Sequence, residues 1–118
     1  MDSNVLSSIV RDRFFFIKSD YKLIKINFDD ILYIEGLKDY VRIHLSDGKE
    51  IASLMNMKRL EELLPHPEFL RVHRSYILHM CKIPMVNRFC AVFEEKTIPF
   101  TGSYKKAVQD YLESHTVS

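Results

Sequence analysis

Apolar and polar residues alternate with a period of two in several short stretches between residues 14 and 53, and this alternation limits the chain to few kinds of fold. The clearest stretch is 40–45, where valine, isoleucine and leucine take every second position. The dipeptide Asp47-Gly48 follows, which predicts a hairpin turn and a returning strand at 50–53. We therefore expect mainly antiparallel β structure.

The same patterns predict a series of short strands along the chain. They cover residues 14–17, 24–28, 31–35, 40–45, 50–53, 83–86, 89–93 and 97–100. Gly36 is expected to end or bulge the third strand, and residues 69–78 to be extended or irregular. Pro99 places the last strand at a sheet edge, because proline has no amide hydrogen to donate.

Two short helices are expected within this β domain. Asn56 caps the first, and Pro65 and Pro67 stop it. Its apolar stripe comprises Met57, Leu60, Leu63 and Leu64. Ser103 is expected to cap the second helix. The apolar stripe of that helix comprises Tyr104, Ala107, Val108, Tyr111 and Leu112.

Length and composition favour one ordered domain. The chain has 118 residues, 47% of them hydrophobic. It has no apolar run of the roughly 18 residues that a membrane helix needs, and its N-terminus lacks a basic leader. We expect residues 1–12 to be an interdomain linker or N-terminal helix and residues 13–118 to be the domain. Cys81 and Cys90 follow no metal or disulfide spacing, so we expect a cytoplasmic protein with reduced, semi-buried cysteines.

The positive charge is concentrated although the net charge is only +1. Residues 69–93 contain no aspartate or glutamate but include Arg71, Arg74, Lys82 and Arg88. Lys105-Lys106 lies in the first turn of the last predicted helix, where cations oppose the helix dipole. Anionic phosphates near that turn would relieve the conflict, whereas plain solvation of the lysines is the alternative.

Three ordered motifs resemble the LytTR family. They are ILYIEGLKDYVRIHL at 31–45, FLRVHRSYI at 69–77 and IPFTGSYKK at 98–106. With the helix that starts at Asn56, the resemblance covers about residues 13–113. It implies an elongated antiparallel β fold of short stacked sheets, in which loops rather than a recognition helix bind DNA.

The resemblance also implies a biological role. Most LytTR domains are output domains of bacterial two-component response regulators of the LytR/AlgR/AgrA type, which control transcription through a phosphorelay. The implied partners are double-stranded DNA with direct repeats, a second copy in a dimer on DNA, and a receiver domain in cis that is not among these 118 residues; a stand-alone regulator is the alternative.

The first implied DNA-binding loop is the turn before the strand at 40–45. Lys38 is expected to donate to guanine or phosphate, and Asp39 to accept from cytosine in a major groove. Tyr40 and Arg42 belong to the same implied site. The alternative is a solvated hairpin with Tyr40 packed on the sheet.

The second implied loop contains Arg74 and Ser75, which the resemblance places at the minor groove or backbone between two major grooves. For His73 we favour a structural role, in which the ring orients the loop by a hydrogen bond.

The third implied loop comprises residues 101–103. The resemblance implies a base-reading arginine at the position of Gly102, and because glycine has no side chain to donate, we expect altered or weaker specificity at the outer half of the site. Ser103, Tyr104 and Lys105 remain as phosphate contacts.

Two other classes of function stay open. A β-rich protein-interaction module would use an open sheet edge. A small metal-dependent enzyme would use His73, His79 and Cys81, but His79-x-Cys81 has no second ligand pair. No nucleophile motif or glycine-rich phosphate loop is present. We therefore expect no enzymatic activity, no metal and no cofactor.

Overall fold

The computed structural model describes residues 3–118 and confirms a mainly antiparallel β fold. The strands are β1 (Phe14–Ser19), β2 (Lys22–Asn27), β3 (Ile31–Leu37), β4 (Tyr40–Leu45), β5 (Glu50–Ser53), β6 (Phe69–His73), β7 (Tyr76–His79), β8 (Met85–Asn87), β9 (Cys90–Val92) and β10 (Thr97–Pro99). The helices are α1 (Ser3–Asp12), α2 (Met57–Leu63) and α3 (Lys105–Ser114). Short 3-10 turns cover Phe28–Asp30, Met80–Lys82 and Gly102–Tyr104.

A central five-stranded sheet has the order β5-β4-β3-β7-β6, with every neighbouring pair antiparallel. The β1–β2 hairpin, α1 and α2 contribute to one hydrophobic core with this sheet, which includes Phe28, Ile34 and Leu60. A three-stranded sheet, β10-β9-β8, and α3 contribute to a second core with it, which includes Leu78 and Val108. The molecule is elongated, at 46 × 29 × 26 Å.

Local sequence signals placed most elements correctly. The Asn56 side chain accepts a hydrogen bond from the Arg59 amide at 2.8 Å, so the predicted cap of α2 is confirmed. The predicted apolar stripe of α2 is buried throughout. Pro99 lies in an edge strand, as expected.

Residues 69–78 adopt the extended alternative of the prediction, because β6 and β7 form a hairpin within the central sheet. Other local predictions were wrong. Gly36 lies inside β3 and does not end it; the irregular register of that strand falls between Ile31 and Tyr33. Cys81 is exposed and not semi-buried.

The start of α3 also differs from the prediction. Ser103 does not cap the helix, because Gly102–Tyr104 forms a 3-10 turn and the helix begins at Lys105 without a side-chain cap. Ala107 is exposed, so the buried stripe of α3 is narrower than expected.

Candidate nucleic-acid interface

Two turns of the central sheet lie side by side. The turn after β3 carries Lys38 and Asp39, and the turn after β6 carries Arg74 and Ser75. Antiparallel pairing of β3 with β7 brings both turns to the same end of the sheet. The Gly36 amide donates to the Ser75 carbonyl at 2.8 Å, which joins the turns directly.

A third segment lies at the same end. The Thr101 amide donates to the Val72 carbonyl at 2.9 Å and so fastens residues 101–103 beside the end of β6. Gly102, Ser103 and Lys105 are exposed. We call the surface formed by residues 38–39, 74–75 and 101–105 the turn end.

The predicted site residues are not all equivalent in position. Lys38, Asp39 and Arg74 are exposed, whereas Tyr40 is partly buried at the start of β4. Together with the exposed residues 102, 103 and 105, they give one surface rich in cationic and hydrogen-bonding groups. This arrangement suits a polyanion that contacts several turns at once.

Arg42 is set apart from the turn end. It pairs with Glu35 in the β3–β4 ladder, inward from the turn. Its Nη1 lies 3.8 Å from Glu35 Oε1, and its Nε lies 3.9 Å from Glu50 Oε1. His44 contacts the same two carboxylates at 3.1 and 3.4 Å. These carboxylates reduce the positive potential that Arg42 offers to an anion.

His73 has the orienting contact expected from the sequence. Its Nδ1 accepts a hydrogen bond from the Ser75 amide at 3.0 Å. Its ring packs edge to face on Tyr76, with 5.5 Å between centroids. His73 therefore fixes the shape of the turn that presents Arg74.

Arg71 is a positioning residue that the sequence analysis did not single out. Its Nη2 donates to the Arg74 carbonyl at 2.6 Å, and its Nη1 donates to Glu61 Oε1 at 3.1 Å. Its guanidinium carbon lies 5.8 Å from the centroid of the Tyr104 ring. One side chain therefore links the β6–β7 turn, α2 and the segment before α3. The basic stretch at 69–93 was the available signal, but it did not indicate these partners.

The β8–β9 turn extends the turn end. The Phe100 amide donates to the Phe89 carbonyl at 2.7 Å, and Lys105 Nζ lies 5.0 Å from the centroid of the Phe89 ring. Arg88, which is exposed, occupies the same turn. The sequence predicted this hairpin but not its proximity to Lys105, because the contact spans two separate elements.

Left-handed backbone recurs in these turns. Lys38, Arg88 and Phe89 have φ angles of 46°, 50° and 61°. Residues other than glycine adopt this region at a cost, and such conformations concentrate at functional sites. Gly102 has φ 53°, and a Cβ added there would meet nothing within 4 Å. Space is therefore open at Gly102, but its left-handed backbone favours glycine over any residue with a side chain.

The alternative metal pair is not assembled. His79 is buried, with Nδ1 2.7 Å from the Ile31 carbonyl and Nε2 2.9 Å from Glu68 Oε2. Both ring nitrogens therefore face protein oxygens, whereas Cys81 is exposed. Among residues 3–118 no group of three or more His, Cys, Asp or Glu residues is arranged to hold a metal ion.

Glu68 connects His79 to the N-terminal part of the fold. Arg13 donates to both Glu68 oxygens, at 3.1 and 2.7 Å, and to Asp29 at 2.8 Å. Hydrogen bonds from Arg13, supplemented by His79, hold the pKa of Glu68 below its ordinary value. Glu68 and His79 lie at the opposite end of the β6–β7 hairpin from the turn end, and this network supports the fold.

Comparison with known proteins identifies the fold family. The profile of the LytTr DNA-binding domain matches residues 21–113. The chain belongs to the LytTR family. LytTR is a family of DNA-binding domains and not a class of enzymes. In the part of this LytTR domain that the structure describes, no helix is long and apolar enough to cross a membrane.

Two similar proteins illustrate the relationship. The sensory transduction protein LytT of Oceanobacillus iheyensis is 36% identical over 74 residues, which are 63% of this chain and 26% of that protein. The chain thus aligns with about a quarter of this curated relative. A solved LytTr DNA-binding domain from Bacillus cereus superposes with a TM-score of 0.69 at 19% identity, covering 85% of this chain and 96% of that one. This likeness confirms the LytTR fold.

Proposed function

We propose that this LytTR domain binds double-stranded DNA sequence-specifically as the output domain of a bacterial response regulator that controls transcription. The observation that carries the proposal is the common position of three turns at one end of the central sheet. A single face of a duplex can meet all three turns, with the β6–β7 turn between the other two.

The chemistry of each turn suggests its task. Lys38 and Asp39 approach base edges in a major groove, and the partly buried Tyr40 supports their turn. Arg74 enters the neighbouring minor groove. Ser75, Ser103 and Lys105 contact phosphates. Arg42 takes part indirectly, because Glu35 and Glu50 already face its guanidinium.

The third turn, residues 101–103, differs from the other two in the groups that it can offer to a base. Gly102 has no side chain to donate to a base, so this turn contributes backbone and phosphate contacts. We propose weaker sequence preference in the groove it meets than in the groove that receives the Lys38–Asp39 turn.

The proposed assembly is a dimer on direct repeats, with each copy linked in cis to a receiver domain. The likeness to a sensory transduction protein, of which this chain covers about a quarter, supports the idea of a further regulatory domain. Phosphorylation of such a receiver would then control how readily two DNA-binding domains occupy adjacent repeats.

Selection of bound duplexes from a random pool at two salt concentrations tests this function. We expect an enriched motif that recurs about one helical turn apart, about 10 base pairs. If about five phosphates are contacted, the logarithm of the affinity falls against the logarithm of salt with a slope near −4 to −5. No enriched motif together with a flat salt response would contradict the proposal and favour a protein-interaction module.

A further inference from the structure

We propose that the β1–β2 turn, residues 19–21 with Lys18 and Lys22 on either side, is a fourth DNA contact. It would bind the sugar–phosphate backbone beyond the groove that receives the Lys38–Asp39 turn. This inference rests on the proposed function and extends the interface across the β5 side of the central sheet.

The fold brings this turn to the turn end. Ser53 Oγ donates to the Lys18 carbonyl at 2.6 Å, which fastens the hairpin beside the last residue of β5. Ser53 in turn pairs with Val41, near the start of β4. Residues 18–21, Tyr40 and residues 52–54 line one open cavity of about 470 Å³. Tyr40, which follows the Lys38–Asp39 turn, therefore shares a surface with the hairpin tip.

The tip exposes groups that suit a phosphate backbone. Tyr21 is 96% exposed, and Lys18 and Lys22 are exposed at the two sides of the turn. A tyrosine hydroxyl and two ammonium groups can donate to phosphate oxygens on neighbouring nucleotides. Lys25 lies farther along the hairpin, and we do not include it in the contact. Its Nζ already lies 4.4 Å from the centroid of the Phe14 ring.

The backbone gives an independent reason to assign a function to Tyr21. Asp20 and Tyr21 have φ angles of 51° and 63°, which is the left-handed conformation of a two-residue type I′ hairpin turn. Asp-Gly is the sequence that favours this turn, and a tyrosine in place of that glycine costs stability. Because Tyr21 is almost fully exposed, packing within the domain does not offset this cost.

Duplex DNA is the occupant that the observations favour. The tip continues the row of turns at one end of the central sheet, and both flanking side chains are cationic. An acidic protein segment could also form ion pairs with Lys18 and Lys22. Binding of such a segment would not require the tip to lie in line with the other DNA-contacting turns. Binding of such a segment is a distinct outcome of the test below.

The test uses the full chain and two versions of the selected duplex. The long duplex keeps the flanking base pairs on both sides of the motif, and the short duplex lacks those on the side that faces the hairpin. Lys22→Ala should reduce the magnitude of the salt slope by about 1 on the long duplex and leave the short duplex unaffected. Lys49→Ala is the matched control, because Lys49 lies in the turn between β4 and β5 at the opposite end of the sheet. It should change neither slope.

Tyr21→Gly separates a binding role from a structural one. The variant should unfold at a higher temperature, because glycine relieves the left-handed strain. It should also bind the long duplex several-fold more weakly, with no change on the short duplex. A tyrosine that served only the fold would not give higher stability together with weaker DNA binding.

Different results would contradict the fourth DNA contact and the proposed DNA-binding function. If Lys22→Ala and Tyr21→Gly bind both duplexes like the wild type while Arg74→Ala weakens binding, the fourth contact is wrong and the proposed function stands. If Arg74→Ala and Lys38→Ala also leave binding unchanged, the proposed function itself is wrong. Retention of an acidic peptide by the wild type but not by Lys22→Ala, with DNA binding unchanged, would assign the tip to a protein partner.

Discussion

Arg71 and Arg74 are three residues apart but use their guanidinium groups in different ways. Arg74 is exposed at the tip of the β6–β7 turn, whereas Arg71 is directed at the Arg74 carbonyl and at Glu61. The first is placed to meet a ligand and the second to hold the turn. Two substitutions separate these roles.

Arg74→Ala should weaken binding to the selected duplex by about 1–3 kcal/mol, because one groove contact is lost. Its unfolding temperature should match that of the wild type, since the side chain is exposed. Fluorescence anisotropy and thermal denaturation measure the two effects. Unchanged affinity would remove Arg74 from the interface.

Arg71→Met should weaken DNA binding by about 1 kcal/mol by loosening the turn, a value typical of one lost hydrogen bond. The stability change should be small, because Arg71 Nε is buried with no hydrogen-bond partner among the described residues, and methionine removes that unpaired group. Amide hydrogen exchange at Ser75 should become faster. Wild-type exchange with weakened binding would instead make Arg71 a direct contact.

At the level of elements, the start of α2 packs against β3 beside the turn end. A Cβ on Gly36 would lie 2.7 Å from Met57 Cγ and 3.2 Å from Met57 Sδ. Glycine suits this position because the Met57 side chain, at the start of α2, lies against the strand, although Gly36 has no left-handed backbone. The Met57 contact couples the start of α2 to the central sheet, and Glu61 of the same helix contacts Arg71.

Gly36→Ala should lower the free energy of unfolding by about 1–3 kcal/mol through overpacking against Met57. The same change in a Met57→Ala background should cost much less, because the clashing atoms are gone. Urea denaturation of the four proteins in this cycle measures the coupling. Equal costs in both backgrounds would show that Met57 is not the cause.

At the level of the whole molecule, the Arg13 network joins regions that are far apart in sequence. Arg13 follows α1, Asp29 precedes β3, Glu68 precedes β6, and His79 ends β7. Because hydrogen bonds from Arg13 lower the pKa of Glu68, this carboxylate stabilises the folded state when it is charged. The contribution is complete above the unfolded-state pKa of glutamate, about 4.3, and is lost as the pH falls through the folded-state value.

Glu68→Gln should therefore lower the free energy of unfolding by about 1–3 kcal/mol near neutral pH, a range typical of hydrogen bonds to charged groups. The difference from the wild type should shrink in acid as the wild-type carboxylate becomes protonated. Urea denaturation over a pH series measures this, with the exposed Glu62→Gln as the control. A difference independent of pH would exclude a role for the Glu68 charge.

Local patterns were sufficient to predict most strands, the Asn56 cap and the LytTR resemblance. They were insufficient where long-range contacts decide the structure. For residues 69–78 they left extended and irregular chain open, and only pairing of β7 with β3 makes this segment a central hairpin. Likewise, the 3-10 turn at Gly102–Tyr104 moves the start of α3 beyond the predicted cap.

The amino-acid sequence by itself determined most of the residues that form strands and turns, because alternation and turn dipeptides act over a few neighbouring positions. It also determined the family, through three motifs in order. Only the tertiary structure decided which turns lie together, since that depends on the order of strands in a sheet and on hydrogen bonds such as Gly36–Ser75, Thr101–Val72 and Ser53–Lys18. Those contacts join residues dozens of positions apart, and no local pattern specifies them.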